Sequence, residues 1–343
     1  MEIETIAGLN VNELIEEIHN IVEKSRKKIA TNVNFELLLA YWNIGKIIVE
    51  KEKKSQIDNQ TSRKIILQIS KILTERLGKG FSRANLFNMR KLYLIYPDVQ
   101  TLSGQMSWSK YCELLIISES NKRTFYEKEC QNANWSVREL KRQISSSLFE
   151  RLLLSQGKSN KDKILKLAKE GHIIREPEDI TKDPYVFEFL GIPENKPILE
   201  KDLERKLIRH IEDFLLELGK GFMFLGSQQR ITINNIHYYV DMVFYNKILK
   251  SYVLIELKTR KLQIADAGQM NTYLNYYKTE VNDENDNPPI GIIICAEKDE
   301  IAAEYILGGL SNKVFASKYT YVLPNKEQFI HKIEEVIISG NKV

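Results

Sequence analysis

Apolar residues in the first part of the chain recur at intervals of three and four, the period of a helix with one buried face. Leu14, Ile15, Ile18, Ile21 and Val22 form one such run, and Phe35, Leu38, Leu39, Trp42, Ile47 and Ile48 a second, so residues 10–50 are expected to fold as two helices. Glu50 to Thr61 is polar and reads as a turn. A third run, with Ile65, Ile66, Ile69, Ile72, Leu73 and Leu77, stops at Gly78-Lys79-Gly80. Ser82 can cap a further short helix in which Leu86, Met89 and Tyr93 face inward and Arg83, Asn85, Arg90 and Lys91 are left outside. Pro97 ends it. Another helix starts near Trp108, and Ser136 caps a helix from Val137 to Leu153. Residues 1–150 therefore read as an all-helical domain.

The pattern then changes. Residues 151–195 read as a linker, Gly-, Ser-, Asn- and Lys-rich from Ser155 to Lys163 and broken by Pro177, Pro184 and Pro193, docking through Tyr185, Phe187 and Phe189. Its prolines exclude a long helix or a central strand. Residues 196–343 open with an amphipathic helix, Leu199 to Leu218, stopped by Gly219-Lys220-Gly221. Short strands follow: Phe222 to Leu225, ended by Gly226, then Ile231 to Ile233, a hairpin turn at Asn234-Asn235, His237 to Phe244, and Tyr252 to Lys258. A helix from Ala265 to Tyr277 precedes Ile290 to Cys295, which is apolar on both faces, as in a buried strand of a helix-covered sheet. A short helix over Glu300 to Leu307, strands at Val314 to Ala316 and Tyr319 to Leu323, and a helix over Glu327 to Ile338 complete the pattern. The fold class is α/β, a mixed sheet flanked by helices, with a separate helical domain before it.

Composition narrows this only a little. With 343 residues and 43% hydrophobic content the chain can bury two cores. The formal charge of +4 permits nucleic-acid binding without arguing for it. Cys112, Cys130 and Cys295 are scattered, without metal-ligand spacing, which suits a reduced, cytoplasmic protein. The acidic start Met1-Glu2-Ile3-Glu4 lacks the layout of a signal peptide, and no apolar run approaches the ~20 residues of a membrane span. Asp283 to Asn287 lacks the glycine and terminal glutamate of a calcium loop, and no Gly-rich phosphate loop occurs.

The chemistry lies where acids interrupt apolar strands. Asp241 interrupts one strand; Glu256 and Lys258 interrupt the next, two residues apart and so on one face. Folding the hairpin back can set Asp241 beside Glu256. Paired carboxylates repel, and a hard divalent cation such as Mg²⁺ removes that penalty. Two carboxylates, a cation and a lysine can carry out metal-assisted phosphodiester hydrolysis. An ordinary hairpin with a Glu–Lys edge and a solvated Asp is the alternative. In the helical half, a helix, a glycine turn and a short helix exposing Arg and Asn is the layout of a helix-turn-helix reader of DNA, against a plain helical bundle with a solvated basic face.

Asp241 with Glu256-Leu257-Lys258 resembles the PD-(D/E)XK nuclease superfamily, although Val240 stands where the name has proline. Gln269 to Tyr273 looks like the QxxxY element of its RecB-type branch. Over residues 215–300, including Leu216 to Phe222 and Ala267 to Asn271, the chain looks like the YhcG-like nucleases, and its first half resembles that family's N-terminal, winged-helix-like region. The resemblance implies a restriction-endonuclease-like core holding Mg²⁺ or Mn²⁺ through Asp241, Glu256 and the Leu257 carbonyl, with Lys258 and Gln269 catalytic. It also implies a metal-binding glutamate on the first core helix. Glu204 is the candidate, with Glu212 and Glu217 behind it, and the sequence does not choose. Gln228 matches a glutamine of the pattern and could hold a phosphate or pin a turn. Arg260 and Lys261 sit where DNA backbone should pass, Tyr273 would stack or support, and His237 shares a face with Asp241.

The expectation is a metal-dependent endonuclease acting on DNA in repair, recombination or restriction of foreign DNA. The rivals are a DNA- or partner-binding protein that does not cut, and an RNA or junction-specific nuclease on the same core. Oligomeric state stays open, a homo-oligomer included.

Overall fold

The computed structural model describes residues 11–155, 161–193 and 197–323. The chain divides into two compact units, Met1–Arg123 with Cys130–Leu140, and Thr124–Glu129 with Lys141–Val343.

The first unit is helical, and no strand occurs among its described residues. Its main helices are α1 (Val11–Lys54), α2 (Asn59–Leu77), α3 (Arg83–Ile95) and α4 (Trp108–Leu114). Residues 10–50 were expected as two helices; α1 is one, because nothing in the polar stretch between the two apolar runs breaks a helix. Asp58 caps α2 by accepting from the Gln60 and Thr61 amides at 2.7 and 2.8 Å. Ile66, Leu86 and Met89 centre the small core, with Tyr41 and Ile44 of α1 packed on it. Gly45 makes the α1–α3 approach possible, since a Cβ there would lie 2.0 Å from the Met89 carbonyl oxygen. Trp42 donates its indole N–H to the Tyr96 carbonyl at 2.7 Å.

The following helices are α5 (Ser120–Asn132), α6 (Val137–Ser145), α7 (Leu148–Ser155) and α8 (Lys161–Glu170). The single helix expected from Val137 to Leu153 is two, because Ser147 takes a left-handed φ of 54°.

The second unit is built on a six-stranded sheet. Its strands are β1 (Tyr185–Val186), β2 (Phe222–Ile233), β3 (Ile236–Asn246), β4 (Ser251–Lys261), β5 (Ile290–Glu297) and β6 (Lys313–Thr320), in the order β1-β6-β5-β4-β3-β2. β2, β3 and β4 are antiparallel; β4, β5, β6 and β1 run parallel. β1 comes from the proline-rich stretch and lies at an edge, where proline neighbours are tolerated. Tyr185 and Phe187 are buried there.

α9 (Glu200–Arg209) and α10 (Ile211–Leu218) cover one face. Leu203, Leu207 and Phe214 pack on Phe244, Ile255 and Ile292. α11 (Ile264–Tyr276) and α12 (Glu300–Leu307) belong to the other, where Met270 and Leu274 meet Val243, Leu254 and Ile293. β4 and β5 thus give alternate residues to two cores, which is why they read as continuous apolar runs.

Three boundaries differ from the sequence reading. The helix expected over Leu199–Leu218 is broken at His210, whose φ and ψ of −111° and 37° leave the helical region. Gly226 does not end β2: the register shifts between Phe224 and Gly226 and the strand continues. A Cβ at Gly226 would lie 2.2 Å from the Gln229 side-chain Nε2, so a larger residue at the bulge would have to displace that side chain. The two strands expected near 314–323 are one, β6. The helix expected over Glu327–Ile338 lies outside the described residues.

Candidate active site

β3 pairs with β4 from Asn246↔Ser251 up to Met242↔Ile255, and the ladder ends there. Asp241 is the next residue of β3, and Glu256 the next of β4. At this fork the Asp241 side chain replaces the missing ladder partner. Its Oδ2 accepts from the Leu257 amide at 2.9 Å, and its own amide donates to Glu256 Oε1 at 3.2 Å. The two carboxylates are thereby held side by side by main-chain bonds. Glu256 is 2% exposed.

Lys258 lies on the same face, two residues on, with Nζ donating to Glu256 Oε2 at 3.2 Å. Gln269, on α11, donates from Nε2 to Glu256 Oε2 at 3.3 Å and to the Tyr273 hydroxyl at 2.7 Å. Gln269 and Tyr273 are one helical turn apart, so Tyr273 can fix the amide that reaches Glu256. Tyr273 itself is 3% exposed and packs edge-on against Tyr238, so its ring is not available for stacking on a base.

On the other side of Asp241 stands Gln228, in a left-handed conformation with φ of 48°. Its Nε2 donates to Asp241 Oδ1 at 3.2 Å and to Glu204 Oε2 at 2.9 Å. Of the three acids open on the first core helix, Glu204 is therefore the one brought to the site, and it arrives through an amide. Glu212 is exposed, and Glu217 is buried among Arg142, Arg151 and Lys182. One acid at the site was missed in the sequence. Glu200, one turn before Glu204, accepts from the Thr259 amide at 3.3 Å and lies 3.9 Å from Lys258 Nζ. Its position on the same helix face as Glu204 was the available signal.

The electrostatics follow from this crowding. Burial first, and then the Asp241 charge, push the Glu256 carboxyl up to about 7. Burial likewise raises the Asp241 carboxyl, against the bonds from Leu257 and Gln228. Glu204 is raised by burial and by Asp241. For Lys258 burial acts downward, but Glu256, Asp241 and Glu200 outweigh it and hold the ammonium above its ordinary value. The site is an excess of negative charge that neutral amides and one ammonium do not balance.

That donor set fits a hard divalent cation. Asp241 and Glu256 offer adjacent carboxylate oxygens, and a bound cation would remove the repulsion that raises their pKa values. Among the described residues no group of three or more His, Cys, Asp and Glu side chains is gathered for a metal ion. The two carboxylates would thus be completed by main chain, water or substrate, in the manner usual for Mg²⁺.

The basic residues expected along DNA are placed less simply. Arg260 makes two bonds to Asp266, at 2.7 and 2.8 Å, and braces the first turn of α11. Lys261 is exposed. His237 contacts Thr232 Oγ1 at 3.0 Å. In the helical unit, Arg90 was expected outside but its Nε donates to both Glu52 oxygens at 3.1 and 2.8 Å. Asn85 donates to the Gly80 carbonyl at 3.0 Å and accepts from the Trp108 indole at 3.4 Å. Arg90 thus ties α3 to α1 and Asn85 holds the corner between α2 and α3, each through polar groups that sequence spacing does not reveal. Arg83, which lies over the Phe87 ring at 5.6 Å, and Lys91 remain exposed.

Residues 178–334 match the family described as the YhcG PDDEXK nuclease domain, and residues 17–151 the DUF1016 N-terminal domain. The Escherichia coli (strain K12) protein named "Putative nuclease YhcG" is 36% identical over 348 residues, 92% of each chain. Two solved structures are similar over part of the chain. A repair endonuclease from Pyrococcus abyssi is 17% identical over 39% of this chain and 50% of its own, with a TM-score of 0.26. EndoMS in its apo form is 16% identical over 38% and 49%, with a TM-score of 0.25. The match spans about half the length of those two chains.

Proposed function

This chain belongs to the YhcG family and carries its PD-(D/E)XK nuclease domain, and from that premise we propose that it is a metal-dependent endonuclease hydrolysing DNA phosphodiester bonds in repair, recombination or restriction of foreign DNA. One observation carries the reading. Asp241, Glu256 and Lys258 stand together on one sheet face, at a fork where the strand ladder stops, with both carboxyls raised. An ordinary hairpin has no use for such an arrangement, because the acids destabilise the fold they sit in.

Asp241 and Glu256 would hold Mg²⁺ or Mn²⁺. The bound ion supplies a water of lowered pKa and neutralises charge on the phosphate. The chain's own residues do the rest. Main-chain bonds from Leu257 and Asp241 fix the orientation of the two carboxylates. Lys258, held above its ordinary pKa, stays an ammonium at neutral pH and so acts as a donor and not as a base. It can orient the attacking water and stabilise the negative charge that develops on the phosphate oxygens. Gln269, set by Tyr273, keeps Glu256 in place, and Gln228 spaces Glu204 from Asp241. Both glutamines are positioning residues.

A second reading, binding without cutting, has one observation in its favour: no third carboxylate closes directly on the pair among the described residues. Linear, branched, single-stranded and RNA substrates, each with Mg²⁺, Mn²⁺ or chelator, separate the readings. Cleavage of a DNA form that chelator abolishes supports the nuclease. No product on any substrate rejects it and leaves the binding protein.

A further inference from the structure

β2 and β3 do not end where the sheet ends. Beyond the fork they continue as a two-stranded arm, pairing Gln229↔Val240, Arg230↔Tyr239, Ile231↔Tyr238, Thr232↔His237 and Ile233↔Ile236. Asn234 and Asn235 close it, both with left-handed φ (47° and 61°), as a tight two-residue turn requires. At about 3.4 Å per residue the paired stretch is roughly 14 Å long. It springs from the two residues at the fork, Gln228 and Asp241.

Its two faces differ. Ile231, Val240 and Ile233 join the core beneath α11, and Tyr238 rests on Tyr273 with ring centroids 6.3 Å apart. The arm is therefore held in place and does not swing freely. The opposite face carries the cross-strand pairs Arg230/Tyr239 and Thr232/His237, all exposed, with Tyr239 49% exposed. Residues 222–240 contain no Asp or Glu, so nothing on the arm offsets Arg230. A large aromatic and an arginine paired across a supported ribbon, beside a site proposed to act on phosphodiesters, point to a ligand that is both anionic and grooved.

We propose that the arm, residues 229–240, lies in the major groove of double-stranded DNA and holds the duplex against the Asp241–Glu256 pair. This rests on the nuclease reading for its orientation. A two-stranded β-ribbon fits the major groove, which is about 12 Å wide and about 8.5 Å deep, whereas side chains cannot read the deep, narrow major groove of an RNA helix. Arg230 contacts a phosphate at the groove wall, and Tyr239 lies against the sugar and base edge beside it. Tyr239 is two residues, about 7 Å, from Asp241 along one strand, so the phosphate presented to the acids is one adjoining those the arm touches.

The test is equilibrium binding of the full chain to a labelled 20-base-pair DNA duplex, to one of its strands alone, and to an RNA duplex of the same sequence, in chelator so that nothing is cut. Arg230→Ala/Tyr239→Ala should weaken duplex DNA binding about tenfold or more and single-strand binding by less than about threefold, as expected when groove contacts are lost. Arg230→Ala alone should reduce the salt slope of log K by about 0.9, one phosphate contact, and Arg230→Lys should restore it. A merely structural role would not move that slope, and melting temperatures of the variants check the fold. Equal loss on duplex and single strand, an unchanged duplex affinity, or tighter binding of the RNA duplex by the wild type overturns the proposal. The two readings fail separately. A wild type that cuts nothing rejects the nuclease while these binding ratios still decide the arm. A wild type that cuts, paired with a double variant that binds duplex normally, rejects the arm alone.

Discussion

Among the described residues of the second unit, two buried clusters around acids are built oppositely. Around Glu217 the acid is outnumbered. Arg142 and Arg151 pair with it, Lys182 lies beside it and donates to its carbonyl, and the Val186 amide donates to its Oε1 at 3.0 Å. Glu217 and Arg151 are fully buried, and burial alone would raise the Glu217 carboxyl; the surrounding cations override it and bring it down to about 2. At the Asp241–Glu256 fork the acids outnumber the cation. Two glutamine amides and Lys258 face four carboxylates, counting Glu200 and Glu204, and the carboxyls of Asp241, Glu256 and Glu204 are raised. The first cluster is complete within the chain. The second leaves negative charge unbalanced. Burial is common to both; the difference lies in whether the charge is closed internally, and that is why the open cluster is the one proposed as the active site.

The largest effect expected from that contrast is on cleavage. Lys258→Ala and Asp241→Ala should each lower the rate by on the order of 10²–10³ or more, the usual effect of removing a group aimed at developing charge, while leaving DNA binding measurable. Cleavage by either variant at a rate near wild type would break the assignment of the open cluster as the active site. Next in size is folding. Glu217→Leu leaves Arg151 and Lys182 buried without their acid, while Arg142 keeps Glu188, and breaking a buried cluster in this way costs about 3–5 kcal/mol. Urea unfolding measures it. Asp241→Ala should do the reverse in chelator and leave the fold as stable or more stable, because it removes a repelled acid. If both substitutions destabilise alike, the two clusters do not differ as described. Gln269→Ala should then cost about 10–100-fold in metal affinity or activity, the range typical of groups that orient a metal ligand. Titration of Mn²⁺ binding by calorimetry reads this without any need for turnover.

The open cluster was the more legible of the two in the sequence. Asp241, Glu256 and Lys258 announce themselves because charge in an apolar strand is anomalous, and a period of two fixes which residues share a face. Gln269 and Tyr273 needed the family resemblance to be noticed, yet their spacing placed them on one helix face. The closed cluster was invisible, since Glu217 finds Arg142 and Arg151 across 75 and 66 residues of chain. Glu217, Glu212 and Glu204 look alike on a helical pattern, and only the tertiary partner tells which one is brought to Asp241. The same limit explains the helical unit. Arg90 and Asn85 appeared free because Glu52, Gly80 and Trp108 could not be placed beside them from spacing alone. Strand and helix periods were read correctly far more often than their ends: His210 and Ser147 break helices through backbone angles that no apolar pattern records, and Gly226 bends a strand that a turn residue was expected to stop.

The smallest effect tests the comparison most directly, because both clusters contribute to it with opposite sign. Glu217 has a folded pKa of about 2 against an ordinary 4.5. Its contribution to stability is present above 4.5 and is lost as pH falls through about 2. Glu256, raised to about 7, prefers its proton in the folded state. Its contribution is present below the ordinary carboxylate range and is lost as pH rises through about 7. Measured against Glu256→Gln, the metal-free wild type should therefore show an alkaline limb, its melting temperature falling by a few degrees more between about pH 5 and 8. Glu256→Gln should flatten the alkaline limb and leave the acid limb intact. Adding Mg²⁺ or Mn²⁺ to the wild type should reverse the alkaline limb, because a bound cation stabilises the ionised pair. An alkaline limb that persists in Glu256→Gln, or that ignores both metals, would mean that the negative charge at the fork is balanced from within after all.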